Sequence, residues 1–415
     1  MQFLPQLDPQ VAKIIRDEER RQSSTLEMIA SENHASAAVL EAMGTVLTDK
    51  YAEGYPRRRW YNGCENVDAI EQLAIDRARE LFGADHANVQ PHSGTSANLA
   101  VYVAALKPGQ KILGMRLDQG GHLSHGLEIN LSGMCYKAVH YGVDQSSERL
   151  DMDQVRQRAL EERPNLIVVG ASAYPRVIDF AAFEDIAREV GCPVLADIAH
   201  IAGLVVGGVH PSPVPHADFV TTTTHKTLRG PRSGLIMCRA NWARKIDSAV
   251  FPGIQGGPLA HVMAAKAVAF GECLAPAFKQ YAADVVANCR ALADELMALG
   301  LRLVSGGTDN HLLLIDLRSK SAELSGRTAA NWLAAAGIVA NKNTIPFDPR
   351  PPIEGTGIRL GTPALTTRGM KAQQMRQVAR LVDAVLSSGG DEGKLANARA
   401  AVGELAAAFP IPKTR

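Results

Sequence analysis

The chain has 415 residues, with 44 basic against 43 acidic and a formal net charge of +1, which leaves ample length for two lobes and gives no reason to expect a nucleic-acid or membrane-surface partner. The longest wholly apolar run, residues 201–209, holds nine residues, against the roughly 20 that a membrane-spanning helix needs. Asp8, Lys13, Arg16, Asp17 and Glu18 break up any apolar core of a signal peptide, and the cysteines (Cys64, Cys135, Cys192, Cys238, Cys273, Cys289) lack C-x-x-C spacing, so they read as reduced thiols of a cytoplasmic protein.

Residues 1–53 read as an arm followed by a helix, Ala37–Met43, with Ser36 placed to cap it. After the glycine- and proline-broken segment Gly54–Gly63, Val67, Ile70, Leu73, Ala74, Ala78 and Leu81 recur at three- and four-residue steps. That spacing predicts an amphipathic helix closed by Gly83. Short β-branched runs then alternate with helical patterns: 87–89, 111–114, 166–170, 194–196, 219–222 and 234–237. The alternation predicts a mostly parallel sheet covered by helices on both faces, making residues 54–275 a large domain. Beyond it the pattern changes. A helix at 282–299 ends at Gly300, strands at 301–304 and 312–316 flank Ser305-Gly306-Gly307-Thr308-Asp309-Asn310-His311, and helices follow near 328–336 and 370–386. Residues 276–415 therefore read as a smaller α+β domain.

The most informative stretch is Thr221-Thr222-Thr223-Thr224-His225-Lys226-Thr227, which sets a lysine among small hydroxyl residues directly after a strand. Burial there would disfavour the ammonium form and leave an amine suited to Schiff-base chemistry. Upstream, Asp197 ends another apolar strand and is followed by His200. Pyridoxal phosphate needs such a pair, a lysine for its aldehyde carbon and an anion to keep its ring nitrogen protonated. Ligands of open α/β sheets sit beyond the carboxyl ends of strands, so Ser172, Asp197, His200, His225 and Lys226 are expected to converge.

Other motifs carry two readings each. Ser93-Gly94-Thr95 before an apolar helix offers free N–H groups to a phosphate, or is an ordinary capped turn. Gly253-Ile254-Gln255-Gly256-Gly257-Pro258 is a second loop where backbone can approach an anion, or a common Gly-Pro turn. In Gly120-Gly121-His122-Leu123-Ser124-His125-Gly126, His122 either stacks on a flat ring or is a satisfied structural histidine. No metal is expected, because a third ligand is missing locally. The loop carrying Tyr51, Glu53, Trp60 and Tyr61 is functional or a solvated surface. Arg359, in an apolar and glycine context, wants a planar anion, either a substrate carboxylate or an internal acid.

Together these residues resemble the serine hydroxymethyltransferase family of pyridoxal-phosphate enzymes. The similarity runs from about Ile29 to Phe409 through Ile29-Ala30-Ser31-Glu32-Asn33, Lys50-Tyr51-Ala52-Glu53-Gly54-Tyr55-Pro56, Ala87 to Gly94, Ser172-Ala173-Tyr174, the threonine run to Lys226, Phe251 to Pro258, and Ser305 to His311. It implies the aminotransferase-like (type I) fold, with a seven-stranded, mostly parallel sheet in the large domain. The implied activity is reversible transfer of the hydroxymethyl carbon of L-serine to tetrahydrofolate in one-carbon metabolism and glycine biosynthesis. The alternatives are a folate-independent aldolase for β-hydroxy amino acids and an α-methylserine hydroxymethyltransferase. By the same resemblance Lys226 holds the cofactor aldehyde, Asp197 its ring nitrogen and His122 its ring face. Ser172 and His200 lie near its phenolic oxygen, and Ser93, Gly94, Thr95 and His225 serve the phosphate. The site straddles a homodimer interface, so Tyr51, Gly256 and Gly257 reach the phosphate from the partner. Ser31 and Arg359 bind the substrate carboxylate, Glu53 and Tyr61 of the partner move protons, and Leu117, Gly121 and Leu123 contact folate. The chain departs from the family pattern at Trp60, Asn62, Ser96, Gln119, Ser233 and Pro351-Pro352-Ile353.

Overall fold

The computed structural model describes residues 3–412. Local signals are realised where they occur: the Ser36 hydroxyl accepts from the Val39 N–H at 3.2 Å, and Gly83 ends the helix Glu65–Phe82 at φ +67, a conformation glycine adopts without a Cβ clash. The N-terminal arm contains a helix not expected from the sequence, Pro9–Ser24 (α1), started by Asp8 and by proline in its first turn. Ala12 is its one buried residue, and its other apolar side chains, Val11, Ile14 and Ile15, are exposed on this chain. After it, the short strand Leu26–Glu27 pairs in parallel with Ile338–Val339, which sends Leu26 and Met28 into the core of the C-terminal part of the chain.

The central sheet has seven strands: β1 (His86–Asn88), β2 (Lys111–Met115), β3 (Lys137–Tyr141), β4 (Leu166–Val169), β5 (Val194–Asp197), β6 (Phe219–Thr223) and β7 (Gly234–Cys238). Their spatial order is β1-β7-β6-β5-β4-β2-β3, and only β7 runs against its neighbours. Strand side chains alternate between faces. Leu113, Ile167, Val169, Ala196 and Val220 accordingly join one apolar layer, while Ile112, Leu166, Val168, Leu195, Phe219 and Ile236 join the opposite one. Helices cover both layers, which is why these strands read as continuous apolar runs. The six sequence runs missed β3, an edge strand in which Tyr141 alone is buried.

A second, antiparallel sheet orders β8 (Arg302–Leu303), β9 (Leu312–Asp316), β11 (Gly357–Gly361) and β10 (Asn341–Asn343) side by side. Helices Pro276–Ala298 (α2), Ala372–Leu386 (α3) and Glu392–Ala408 (α4) contribute to a core of their own with one face of this sheet. Helix α2 begins six residues earlier than its apolar spacing suggested, with proline at its start. Ile358 and Leu360 of β11 enter that core. Period-two alternation puts Arg359 on the other face, where it meets the large sheet's loops.

Candidate active site

Strands β4, β5 and β6 are parallel, so their carboxyl ends share one edge of the sheet. Ser172, Asp197, His200, His225 and Lys226 follow those ends and line a cavity of about 200 Å³ with Ser93, Gly94, Thr95 and His122. Residues 172–226 thus converge because three strand ends do, and residues 93–95 and 122 join them from the segments after β1 and β2.

Burial draws the Lys226 amine down to about 8, with Asp197 opposing and Arg359 and Arg232 adding to the effect. It has no hydrogen-bond partner among the described residues and lines the cavity, an amine that gives up its proton more readily than an ordinary lysine. Asp197 is its counterpart. Burial alone would raise the carboxyl, but the His125 hydrogen bond and the charges of His125 and His122 hold it well below the usual range. Its Oδ2 lies 2.9 Å from His125 Nε2 and accepts from Asn98 Nδ2 at 2.8 Å, and Oδ1 accepts from the Ala199 N–H at 3.0 Å. Thr221 donates to the Asn98 carbonyl at 2.6 Å, which fixes the amide's orientation. His125 and Asn98 were not assigned from sequence. The one available signal was that His125 shares a glycine-flanked run with His122.

Donor atoms of His122, His125 and Asp197 all lie within 4.8 Å of one another, so the third metal ligand missing locally is supplied by the fold. These atoms are already engaged: His125 with Asp197, and His122 Nδ1 with the Ser124 hydroxyl at 2.7 Å.

At the other end of the cavity, Ser93 caps the helix Gly94–Ala105 by accepting from the Ser96 N–H at 3.1 Å. The first N–H groups of the helix are left free for an anion. A Cβ at Gly94 would stand 2.7 Å from the Thr223 methyl, so only glycine lets this turn approach β6. Lys266 lies beneath the turn, fully buried, donating to the carbonyls of Val89 at 2.5 Å and Gly234 at 2.7 Å. It sits mid-helix in an alanine-rich sequence and gave no warning of this role. His225 is held neutral, drawn to about 3 by burial and then by the charges of Lys226 and Arg232.

Arg359 donates to the Ser172 carbonyl at 2.6 Å and to Asn341 Oδ1 at 3.2 Å. Among the described residues it has no acidic partner, so the internal-acid reading fails and the guanidinium remains uncompensated. Burial draws it to about 10. Ser31 is half-buried on the segment beside β11, where the Gly361 N–H donates to the Met28 carbonyl at 2.8 Å.

Ser31, Arg359, Leu117, Gly121 and Leu123 do not line this cavity, and five other expected residues stand apart from it as a group. Tyr51, Glu53, Tyr61, Gly256 and Gly257 form their own cluster. Tyr51 and Tyr61 meet edge-to-face at 5.1 Å, the Tyr51 hydroxyl donates to Glu53 at 3.3 Å, and Gly256 and Gly257 pack against Glu53 and the Tyr51 ring. Tyr51 is 55% exposed, Tyr61 46% and Trp60 77%. Leu117 lines a second cavity of about 620 Å³, which shares His122 and His125 with the first. Gly121 is buried and Leu123 exposed, and neither lines it. Gln119 turns inward to accept from the Val143 N–H at 2.9 Å, and Ser233 donates to the Pro91 carbonyl at 2.8 Å.

The donor set suits a phosphorylated aromatic aldehyde: a free amine, an anchored carboxylate with a lone pair to spare on Oδ1, and a helix N-terminus. The family model described as serine hydroxymethyltransferase matches residues 4–382, nearly the whole chain. With that match and this cavity, the chain belongs to the serine hydroxymethyltransferase family of pyridoxal-phosphate-dependent transferases.

Proposed function

We propose that the chain catalyses reversible transfer of the hydroxymethyl carbon of L-serine to tetrahydrofolate, giving glycine and 5,10-methylenetetrahydrofolate, as a cytoplasmic homodimer. The observation that carries this reading is a lysine of lowered basicity and an anchored aspartate on one cavity, with a buried arginine nearby that has no acidic partner among the described residues. Bound pyridoxal phosphate supplies an electron sink for the Cα–Cβ bond pair of the amino acid.

In this reading Lys226 holds the cofactor aldehyde, and Asp197, kept anionic by His125 and Asn98, pairs with the ring nitrogen. His122 lies against the ring face, and Ser172 and His200 sit near its oxygen. Ser93, Gly94 and Thr95 take the phosphate through helix N–H groups and hydroxyls, with His225 beside them. Arg359, with Ser31 nearby, binds the serine carboxylate and so orients the Cα–Cβ bond.

The cluster of Tyr51, Glu53, Tyr61, Gly256 and Gly257, exposed at Tyr51, Tyr61 and Gly256, supports a two-chain site, since these groups stand outside their own cavity. From a second copy, Tyr51 and the two glycines would face the phosphate. Glu53 would hold and move the proton of the serine hydroxyl oxygen, with Tyr61 orienting it. The cavity bordered by Leu117, with Gly121 and Leu123 close in sequence, is the folate position we favour. We assign residues 1–53 to the N-terminal segment, 54–275 to the cofactor domain and 276–415 to the small domain. Free cysteines, four of them buried, suit a reducing compartment.

The deciding experiment compares turnover of serine with and without tetrahydrofolate against turnover of threonine and α-methylserine. Folate-dependent glycine formation from serine is expected to dominate. Equal rates without folate, or a preference for either other substrate, would replace this reaction with the aldolase or the α-methylserine transferase.

A further inference from the structure

The loop Ser305–His311 belongs to the small sheet, joining β8 to β9, yet its bonds go to the large sheet's loops. Arg176 donates to the Ser305 hydroxyl at 3.0 Å, to the Ser305 carbonyl at 2.5 Å and to Asp309 at 2.9 Å. Asp309 N–H donates to the Pro175 carbonyl at 2.8 Å, Asn310 Nδ2 to the Tyr174 carbonyl at 3.0 Å, and Ser305 N–H to Glu148 at 2.7 Å. Ser305 accepts a left-handed φ of +58 in this arrangement, a conformation a non-glycine residue adopts only when its surroundings over-determine it. The loop is therefore fixed at several points, and its last residue, His311, is fully buried with Nε2 3.2 Å from His200 Nδ1.

Only one proton occupies that contact. If His200 Nδ1–H donated, His311 would carry its own proton on Nδ1, a buried atom with no partner among the described residues. If His311 Nε2–H donates, His311 Nδ1 is left as a lone pair instead. Orphaned buried N–H donors are rarer than under-satisfied acceptors, so the second arrangement is favoured. His200 then carries its proton on Nε2, which has no partner among the described residues, while the ring lines the cavity beside Lys226 and Asp197.

We propose that His311 is a positioning residue: it donates to His200 Nδ1 and thereby fixes His200 as a neutral Nε2–H donor directed at an acceptor atom of whatever fills the cofactor cavity. Both rings are kept neutral by their surroundings. Burial acts first on each, reinforced at His200 by Lys226, Arg359, His311 and His122, and at His311 by Arg359, Lys226 and His210. Asp197 is the nearby anion, and it is already engaged by His125 and Asn98. The consequence for the transferase rests on the proposed function, but the tautomer does not.

The test is heteronuclear NMR of histidine-labelled full-length protein, loaded with pyridoxal phosphate and again after its removal, with the His200 signals assigned by His200→Gln. His200 is expected in the Nε2–H form in both samples and to stay neutral from pH 8 to pH 5.5. An Nδ1–H signal, or titration near the ordinary histidine value, overturns the proposal. In His311→Phe the Nε2–H form should give way to a mixture, with melting followed to confirm folding; an unchanged tautomer in the folded variant also overturns it. If that variant does not fold, the wild-type spectrum decides alone. Failure of wild-type protein to take up pyridoxal phosphate would count against the cofactor reading and leave the tautomer result standing.

Discussion

His125 Nε2 sits 2.9 Å from Asp197 Oδ2, with the two side chains only 1% and 10% exposed. Asn98 donates to the same oxygen, so the charge at Asp197 rests on two neighbours as much as on the acid itself. Removing either donor, by His125→Phe or Asn98→Ala, leaves a buried carboxylate with less compensation. A lost charge-assisted hydrogen bond amounts to about 1.5–3 kcal/mol, or roughly ten- to hundred-fold weaker pyridoxal phosphate binding. Equilibrium titration of the cofactor by absorbance would read this, and undiminished affinity in both variants would mean that neither residue sets the charge of Asp197.

Among the described residues, Lys226 is the only lysine on the cavity wall. Lys226→Ala is expected to lose the visible band of covalently held pyridoxal phosphate together with turnover. A normal cofactor spectrum in that variant would refute the assignment.

Arg359 makes opposite demands on folding and binding. As a buried cation without an acid, it costs stability in the unliganded chain, while a bound carboxylate would repay two charge-assisted bonds. Arg359→Met should therefore lower kcat/KM for serine roughly 100-fold, equivalent to about 2.7 kcal/mol, with the melting temperature of the cofactor-free protein unchanged or raised. A clear fall in melting temperature with intact serine kinetics would instead reveal a structural partner.

Buried neutral histidines predict acid sensitivity. Burial, followed by the Arg359 and Lys226 charges, draws His311 to about 3, and burial likewise pulls His200 down, whereas unfolded histidine titrates near roughly 6.5. Below that value the unfolded chain takes up protons that the folded chain refuses. The contribution is complete above about pH 6.5 and is lost as pH falls toward 3, at about 1.4 kcal/mol per pH unit for each imidazole. Urea midpoints between pH 7.5 and pH 5 should fall accordingly, and His311→Phe should flatten the slope. A wild-type midpoint independent of pH over that range would contradict neutral burial of these rings.

Much of the architecture was legible because its causes are local. Ser36 and Gly83 mark helix ends by capping chemistry within a few residues of the backbone they serve. Runs such as Leu166–Val169 announce a strand apolar on both faces. Some elements escaped: α1 has its apolar side chains confined to residues 11–15, β3 lies at an edge, and α4 has its small residues spread evenly around its axis. Lys226 and Asp197 were legible as a pair because each follows a strong strand signal and pyridine chemistry requires both.

Sequence alone thus determined the doubly covered sheet, the hydroxyl-flanked lysine and the strand-end acid, since these depend on patterns a dozen residues long. The tertiary structure decided who completes them. Asn98 reaches Asp197 across 99 residues and His311 reaches His200 across 111. Arg359 was equally open to an acid or a ligand until every neighbour could be named. Strand order and loop docking set such partnerships, and hydrogen bonds act over about 3 Å whatever the distance along the chain.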